Sequence, residues 1–249
     1  MTWGQIGWSM IALAVVLLVG FSLIFKDGRR YHVRHLPAVK ALFDQRVIAV
    51  ERGEGRQVVL GHRFWSRAYP GLGLHALSAL PSLVSPEMMV DGGQAVSAGA
   101  GELVLFARQI VHGGYRDGFS AGLEAGMSPI QLPGPTPLSF TAGLLTEINL
   151  HSPGSLALFG SFGQCSPLWA EAAFIKGGNV FAAAGLISAQ AALFMSVRDL
   201  LIGEEVFLLP GLMEATPVNQ AGWLTEDILR ALLIVLILVA AVMKMVGII

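Results

Sequence analysis

The stretch that decides the fold is residues 155–213, which begin SLALFGSFGQCSPLWAEAAFIKGGNVFAAAG and predict two consecutive strand-then-helix units. In the first unit, the apolar run 156–159 enters a glycine turn, after which Ser166 offers an N-cap and Pro167 a first helical residue. In the second unit, the apolar run 179–184 is a strand that a second helix follows. Apolar runs that alternate with helical segments are typical of a parallel sheet covered by helices.

The same alternation extends on both sides of these strands. Ser188 is the candidate cap of the second helix, which should run past Leu193 to the pair Leu200 and Leu201. Upstream, the pattern predicts strands at 87–90 and 130–132, a helix through 103–111 that stops at Gly113 and Gly114, and a helix that begins at Thr136 and Pro137. We therefore expect an α/β domain with a Rossmann-like parallel or mixed sheet and covering helices.

A β-hairpin is predicted nearer the N-terminus. Two runs rich in β-branched residues, 47–50 and 57–60, lie on either side of a glycine-containing turn. They belong to a basic juxtamembrane and hairpin region, residues 26–67, which holds ten basic and four acidic residues. A basic region beside a membrane segment favours contact with anionic lipid over contact with nucleic acid. We therefore expect no nucleic-acid partner.

The composition is that of a membrane protein. Hydrophobic residues make up 54% of the chain and charged residues 13%, against about 25% charged in an average soluble domain. Residues 6–25 carry no charge and are long enough to span a bilayer as a helix. Residues 228–249 predict a second span, capped by Thr225. The predicted organisation is a transmembrane helix (1–25), an α/β domain (26–223) and a second transmembrane helix (224–249).

Basic residues directly after the first span decide the predicted orientation. Lys26, Arg29, Arg30 and Arg34 place this flank in the cytoplasm by the positive-inside rule and are expected to face lipid headgroups. The main domain is then cytoplasmic, and both termini are extracytoplasmic. A cleaved signal peptide is the alternative for the first segment, but no basic residue precedes the apolar run.

The glycine turn after the first strand is the best candidate for a ligand site. Gly160, Ser161, Gly163 and Ser166 lie between a predicted strand and a helix N-terminus, where backbone N–H groups and the helix dipole favour an anion such as phosphate. The turn lacks the G-x-x-x-x-G-K-[ST] pattern, and the chain's nearest approximation to G-x-G-x-x-[GA], residues 71–76, does not follow a recognisable strand. The alternative is that these glycines serve close packing alone.

Three further candidates for chemistry each have an ordinary explanation. Glu204 and Glu205 precede an apolar run, so a carboxylate could be partly buried there; alternatively, the pair lies at a solvated helix end or forms an inter-subunit salt bridge. Glu147 and His151 could share a proton or hold a metal, but no third ligand lies near them in sequence. Cys165, the single cysteine, could be an activated thiol at a helix N-terminus, but no base is identified for it. No catalytic residue, metal site or cofactor is predicted, and a non-enzymatic role is favoured.

Charge is scarce over residues 125–197. The formally charged residues in this stretch are Glu147, Glu171 and Lys176. A solvated surface of this length would normally carry many more. Either part of it, such as 177–197, enters the membrane, or copies of the protein cover it, and we favour self-association. Ala183 and Ala191 are predicted to point outward on the covered surface.

Five short motifs stand out in the C-terminal third. They are LFGSFG at 158–163, AEAA at 170–173, AAAG at 182–185, AQA at 189–191 and IGEE at 202–205. These motifs resemble an uncharacterised bacterial family of membrane-anchored proteins that carry a domain of unknown function. The resemblance implies a bacterial inner (plasma) membrane protein and supplies no catalytic residue.

The sequence as a whole favours a membrane-anchored scaffold. Its cytoplasmic α/β domains are expected to assemble as a homo-oligomer on the inner membrane face, with the bilayer, further copies and other membrane proteins as candidate partners. Two alternatives stay open: a membrane-tethered Rossmann-like domain that binds a ligand or catalyses a reaction, and a multi-span channel or transporter subunit.

Overall fold

The computed structural model describes residues 3–26, 36–62, 71–84, 94–118, 130–213 and 216–245. The chain divides into two compact units, His35–Met213 on the one hand and Met1–Arg34 with Glu214–Ile249 on the other. The described helices are α1 (Trp3–Lys26), α2 (Pro37–Glu51), α3 (Leu72–Leu83), α4 (Gly101–Gly118), α5 (Pro137–His151), α6 (Ser166–Ile175), α7 (Ile187–Phe194), α8 (Glu205–Met213) and α9 (Pro217–Met245). The described strands are β1 (Arg56–Leu60), β2 (Gln94–Ala98), β3 (Ile130–Gln131), β4 (Ser155–Gly160), β5 (Asn179–Ala184) and β6 (Asp199–Leu201).

The larger unit is built on one parallel sheet. Its described strands lie in the order β3-β2-β1-β4-β5-β6, and every neighbouring pair is parallel. The predicted α/β class with a parallel sheet is confirmed. The chain moves from β1 outward to β3, returns to the centre at β4, and moves outward to β6 on the other side. The strand order therefore reverses between β1 and β4, which makes this pair a topological switch point.

Helices cover both faces of the sheet. Helices α2, α3, α4 and α8 pack on one face, and α5, α6 and α7 pack on the other. Alternate residues of β1 serve the two layers: Val58 and Leu60 join the first core, while Val59 packs with Phe140 of α5. Because both faces are covered, β1 and β4 are buried along their whole length.

The predicted hairpin is wrong. Residues 47–50 belong to α2, which continues to Glu51, and β1 pairs in parallel with β2 and β4. The buried residues of α2 include Val39, Leu42 and Ala49, a helical spacing that places one side of the helix on the core. The run of β-branched residues at 47–50 is therefore a helix end, with Val47 and Ile48 exposed.

Helix starts agree with the prediction at one place and differ at two. Helix α5 begins at Thr136 and Pro137 as predicted, and the hydroxyl of Thr136 caps it. The N-cap of α6 is Cys165, so Ser166 is the first helical residue and not the cap. The N-cap of α7 is Leu186, and Ser188 lies inside the helix.

Other segment ends also differ from the prediction. Leu200 and Leu201 form part of β6 and are not helical. Helix α4 runs through Gly113 and Gly114, because glycine costs a helix interior only about 1 kcal/mol and does not have to end it. The predicted strand at 87–90 lies outside the described residues, while the predicted strand at 130–132 is confirmed as β3.

In the smaller unit, α1 packs against α9. Among the described residues, one helix, Pro217–Met245, is long and apolar enough to cross a bilayer, and the apolar part of α1, Ile11–Phe25, is shorter. Thr225 lies inside α9, where its hydroxyl donates to the carbonyl of Ala221 at 2.7 Å, so it is not the cap of a second span.

The basic region is divided between the two units. Lys26 is the last residue of α1, and Arg29, Arg30 and Arg34 lie outside the described residues. Arg56 is buried at the start of β1 and donates from Nη1 to the carbonyl of Leu83 at 3.2 Å. Arg56 is therefore part of the domain core and not of a lipid-facing surface.

Candidate functional site

The switch point of the sheet is where ligands bind in open α/β folds. Here the chain segments that leave β1 and β4 stay hydrogen-bonded beyond the strands. The N–H of Gly61 donates to the carbonyl of Phe159 at 3.1 Å, and the N–H of His62 donates to the carbonyl of Ser161 at 2.8 Å. The first residues after the two central strands therefore form a continuous backbone joint.

Two glycines make this joint possible. A Cβ on Gly61 would collide with the backbone nitrogen of Ser161, and a Cβ on Gly160 would collide with the backbone of Gly61. Gly160 also has a φ of +142°, a conformation that residues with side chains rarely adopt. Close packing of the two chain segments is thus sufficient to explain the glycines at these two positions.

The rest of the predicted anion site is brought together in one turn. Ser161 and Ser166 are buried, whereas Gly163 and Cys165 are exposed. The hydroxyl of Ser166 donates to the carbonyl of Gly163 at 3.0 Å, so this side chain braces the turn. A Cβ on Gly163 would meet nothing within 4 Å, so packing does not explain this glycine. The turn and the N-terminus of α6 could accept an anion, and no described side chain of the turn is positively charged.

An aromatic cluster lies at the same edge of the sheet. The ring of His62 meets Phe140 edge-on at 5.5 Å between centroids, Phe140 meets Trp169 at 5.5 Å, and Trp169 meets Phe162 at 5.6 Å. Both ring nitrogens of His62 are buried and have no hydrogen-bond partner among the described residues. His62 was not predicted from the sequence, although its position two residues after a buried strand, directly following Gly61, was a usable signal.

A polar cluster lies under the sheet on the α5 side. The Oε2 atom of Glu147 accepts hydrogen bonds from the hydroxyl of Ser97 at 2.6 Å and from Nε2 of Gln57 at 2.9 Å. Burial raises the pKa of Glu147, and the Ser97 hydrogen bond, the charge of His151 and the Gln57 hydrogen bond oppose that rise. Glu147 therefore points to the sheet, with exposed His151 contributing through its charge.

The remaining candidates are separate from each other. Cys165 is exposed at the start of α6, and Glu204 and Glu205 lie at the start of α8. The side chain of Gln190 in α7 joins the end of β5 to the segment after β6. It donates to the carbonyl of Ala184 at 2.7 Å and accepts from the N–H of Gly203 at 3.2 Å. Within the described ranges, no group of three or more His, Cys, Asp or Glu side chains could hold a metal ion.

The outer surface of the α5–α6–α7 layer is strongly apolar. Helix α6 lies between α5 and α7. Large apolar side chains are exposed on all three helices. They are Leu138 and Leu150 of α5, Leu168, Phe174 and Ile175 of α6, Ile187 and Phe194 of α7, and Met195 in the C-cap of α7. Ala191 is exposed on α7 as predicted, whereas Ala183 is fully buried in β5 and does not point outward. The prediction for Ala183 was wrong because β5 is covered on both faces.

The opposite helix layer also exposes large apolar side chains, among them Val47 of α2 and Leu74 of α3, but charged residues lie among them. On α4, the exposed apolar residues Leu105 and Phe106 are accompanied by the exposed charges of Glu102 and Arg108. Such a mixture of charged and apolar side chains is typical of a solvated surface.

Comparison with known proteins identifies no relative: no family model, no curated protein and no solved structure is significantly similar to this chain.

Proposed function

We propose that this protein is a membrane-anchored scaffold whose α/β domain associates with further copies through the outer surface of α5, α6 and α7. The observation that carries the proposal is the set of large apolar side chains exposed on that layer, which includes Ile175 at 74% and Met195 at 85% exposure. The domain is then on the cytoplasmic side of a bacterial inner membrane, and its partners are the bilayer and other copies of the same chain.

These exposed apolar side chains favour association because many of them lie on one surface of the domain. Monomeric soluble domains seldom expose apolar patches beyond a few hundred Å². A stable interface buries on the order of 1,600 Å², and each apolar Å² removed from water contributes about 25 cal/mol. Three adjacent helices with exposed leucine, isoleucine and phenylalanine side chains supply the apolar core that such an interface needs.

The membrane part of the proposal rests on α1 and α9. Helix α9 is long and apolar enough to cross a bilayer, and an apolar stretch of α1, Ile11–Phe25, lies next to the basic residues from Lys26 onward. The positive-inside rule then favours a cytoplasmic domain.

The test compares two arginine substitutions at equally exposed positions. Ile175 on α6 is 74% exposed and Leu105 on α4 is 71% exposed. For the full chain purified in detergent, we expect light scattering coupled to gel filtration to give a multiple of the monomer mass. Ile175→Arg should lower that mass, because an arginine buried at a contact without a partner is costly. The control Leu105→Arg should leave it unchanged, and a monomeric wild-type protein would contradict the proposal.

A second candidate function is ligand binding at the switch point. Two observations favour it: the strand order of dinucleotide-binding domains, and the buried ring nitrogens of His62 at the end of β1. A ligand there should raise the melting temperature of the full chain, and His62→Phe should abolish the rise. A screen of nucleotides and inorganic phosphate that produces no shift in the wild-type protein would leave the scaffold as the better account.

A further inference from the structure

Three buried ring nitrogens at the switch point have no hydrogen-bond partner among the described residues. They are Nδ1 and Nε2 of His62 and Nε1 of Trp169, a side chain that is 2% exposed. Both rings meet Phe140 edge-on with centroids 5.5 Å apart, so they lie no more than twice that distance from each other. Buried polar atoms in proteins are nearly always paired, and an unpaired one is costly. Packing alone does not explain why polar nitrogens occupy these three places.

Contacts between the rings do not satisfy these nitrogens. The face of an aromatic ring accepts an N–H group only weakly, so the edge-on contacts of Trp169 with Phe140 and Phe162 replace little of a hydrogen bond. A neutral histidine ring has one N–H donor and one acceptor nitrogen. Whichever tautomer His62 adopts, its acceptor nitrogen has no donor within the cluster. The cluster therefore has unpaired donors and an unpaired acceptor.

The N-terminus of α6 offers less to a phosphate group than the sequence pattern suggests. The N–H of Ser166 already donates to the carbonyl of Gly163 at 3.3 Å, and the N–H of Leu168 donates to the carbonyl of Cys165 at 3.1 Å. Pro167, between them, has no N–H. The ring nitrogens are therefore the better candidates for contact with a ligand.

We propose that the cluster of His62, Phe140, Phe162 and Trp169 binds a nucleobase, in the form of a free base, nucleoside or nucleotide. Nucleobases carry donors and acceptors side by side on their edges and stack on aromatic side chains. The base accepts from Trp169 and pairs with both nitrogens of His62. The inference rests on the ligand-binding candidate function and is independent of the scaffold proposal.

The ring of His62 is the part of the cluster that gives a base access. Phe140, Phe162 and Trp169 are each at most 2% exposed, whereas His62 is partly exposed. The three unpaired nitrogens are themselves shielded from water. A base therefore reaches Trp169 when the His62 ring turns away from Phe140.

Calorimetric titration of the full chain in detergent tests which part of a nucleotide is recognised. The ligands are adenosine, guanosine, cytidine and uridine, their 5′-monophosphates, and inorganic phosphate. We expect at least one nucleoside to bind with a Kd within about tenfold of that of its monophosphate, and inorganic phosphate not to bind. Arg63 and Arg67 follow His62 in the sequence, outside the described residues, so the comparison with the monophosphates is essential.

Two substitutions remove the nitrogens and keep an aromatic ring. His62→Phe and Trp169→Phe should each raise the Kd of the bound nucleoside about tenfold or more. His75→Phe in α3 and Trp223→Phe in α9 are matched controls outside the cluster and should leave binding unchanged. His75 is a suitable match because its ring also meets a phenylalanine edge-on, Phe207, at 5.0 Å. Melting curves show whether each variant is folded, and the ligand comparison needs no substitution.

The outcomes separate this inference from the functions proposed above. If monophosphates or phosphate bind and no nucleoside does, base recognition is wrong and a ligand at the switch point stands. Nucleoside binding that both cluster substitutions leave unchanged would place the base elsewhere and overturn the inference. If no ligand of the set binds, the inference and the ligand-binding candidate both fail, while the scaffold proposal is decided by the mass of the particle.

Discussion

Glu147 shows how a single side chain links distant parts of the domain. Its carboxylate oxygen Oε2 joins β1 through Gln57 and β2 through Ser97, while the residue itself belongs to α5. Gln57 and Ser97 are also 3.2 Å apart, between Nε2 and Oγ, so the three side chains form one closed cluster. A half-buried carboxylate in this position is stabilised by two hydrogen bonds and destabilised by the loss of water.

The raised pKa of Glu147 makes stability depend on pH in a defined direction. The carboxyl group of Glu147 stays protonated to a higher pH in the folded protein than in the unfolded chain. At pH values between the ordinary and the raised pKa, the folded state therefore binds more protons. Stability contributed by this group is therefore lost as the pH rises through that window. Relative to Glu147→Gln, which exchanges no proton, the wild-type protein should lose melting temperature as the pH is raised from below the ordinary carboxyl value.

The control for this prediction is Glu102→Gln, which removes a carboxylate from an exposed site on α4. That variant should follow the wild-type pH profile. A difference between the wild-type protein and Glu147→Gln that stays constant with pH, or that changes in the opposite direction, would contradict the pKa shift.

At the scale of elements, the joint between β1 and β4 is a close backbone contact at the sheet edge. Gly61 and Gly160 allow the two chain segments to pair beyond the strands, and the N–H of Gly185 extends the contact by donating to the carbonyl of Gly160 at 3.0 Å. In open α/β folds this edge is also where ligands bind, so packing is one of two explanations for these glycines. Substitution by alanine tests the packing explanation.

We expect Gly61→Ala to destabilise the protein by about 1–3 kcal/mol or more, because its Cβ would be forced against the backbone nitrogen of Ser161. Gly163→Ala is the matched control in the same turn. It should change the free energy of unfolding by less than about 0.5 kcal/mol, because a Cβ there meets nothing within 4 Å. Equal effects of the two substitutions in chemical denaturation would show that the joint is not packed as described.

At the scale of the whole molecule, membrane topology is the property on which the proposed function depends. The domain lies between the two predicted spans in the sequence. The termini and the domain should therefore lie on opposite sides of the bilayer. Cys165 is an exposed natural reporter for the domain, and Thr2 lies before the first span.

In intact cells, a membrane-impermeant maleimide should modify Thr2→Cys in a Cys165→Ser background and should leave Cys165 of the wild-type protein unmodified. Permeabilised cells provide the control, because Cys165 should react once the reagent can enter. Gly55→Cys, in the turn before β1, should behave like Cys165. Labelling of either domain cysteine from outside would reverse the orientation.

The α/β class followed from local pattern alone. Uninterrupted apolar runs at 156–159 and 180–184, each followed by a helical segment, are what strands buried on both faces require, and this requirement is visible within a few residues. The start of α5 at Thr136 and Pro137 was predictable for the same reason, since it depends on its own turn. Self-association was also inferred from a local property, the scarcity of charge over 125–197, and stays a proposal.

Other features depended on contacts between residues far apart in the chain. The run at 47–50 has β-branched residues that suit a strand, and it became a helix end because one side of α2 packs on the sheet. The partners of Glu147 lie 50 and 90 residues away, and the Gly61–Gly160 joint exists because the sheet places β1 beside β4. Sequence pattern records the burial and helix propensity of each segment, whereas strand order and side-chain pairing come from the free energy of packing the assembled domain.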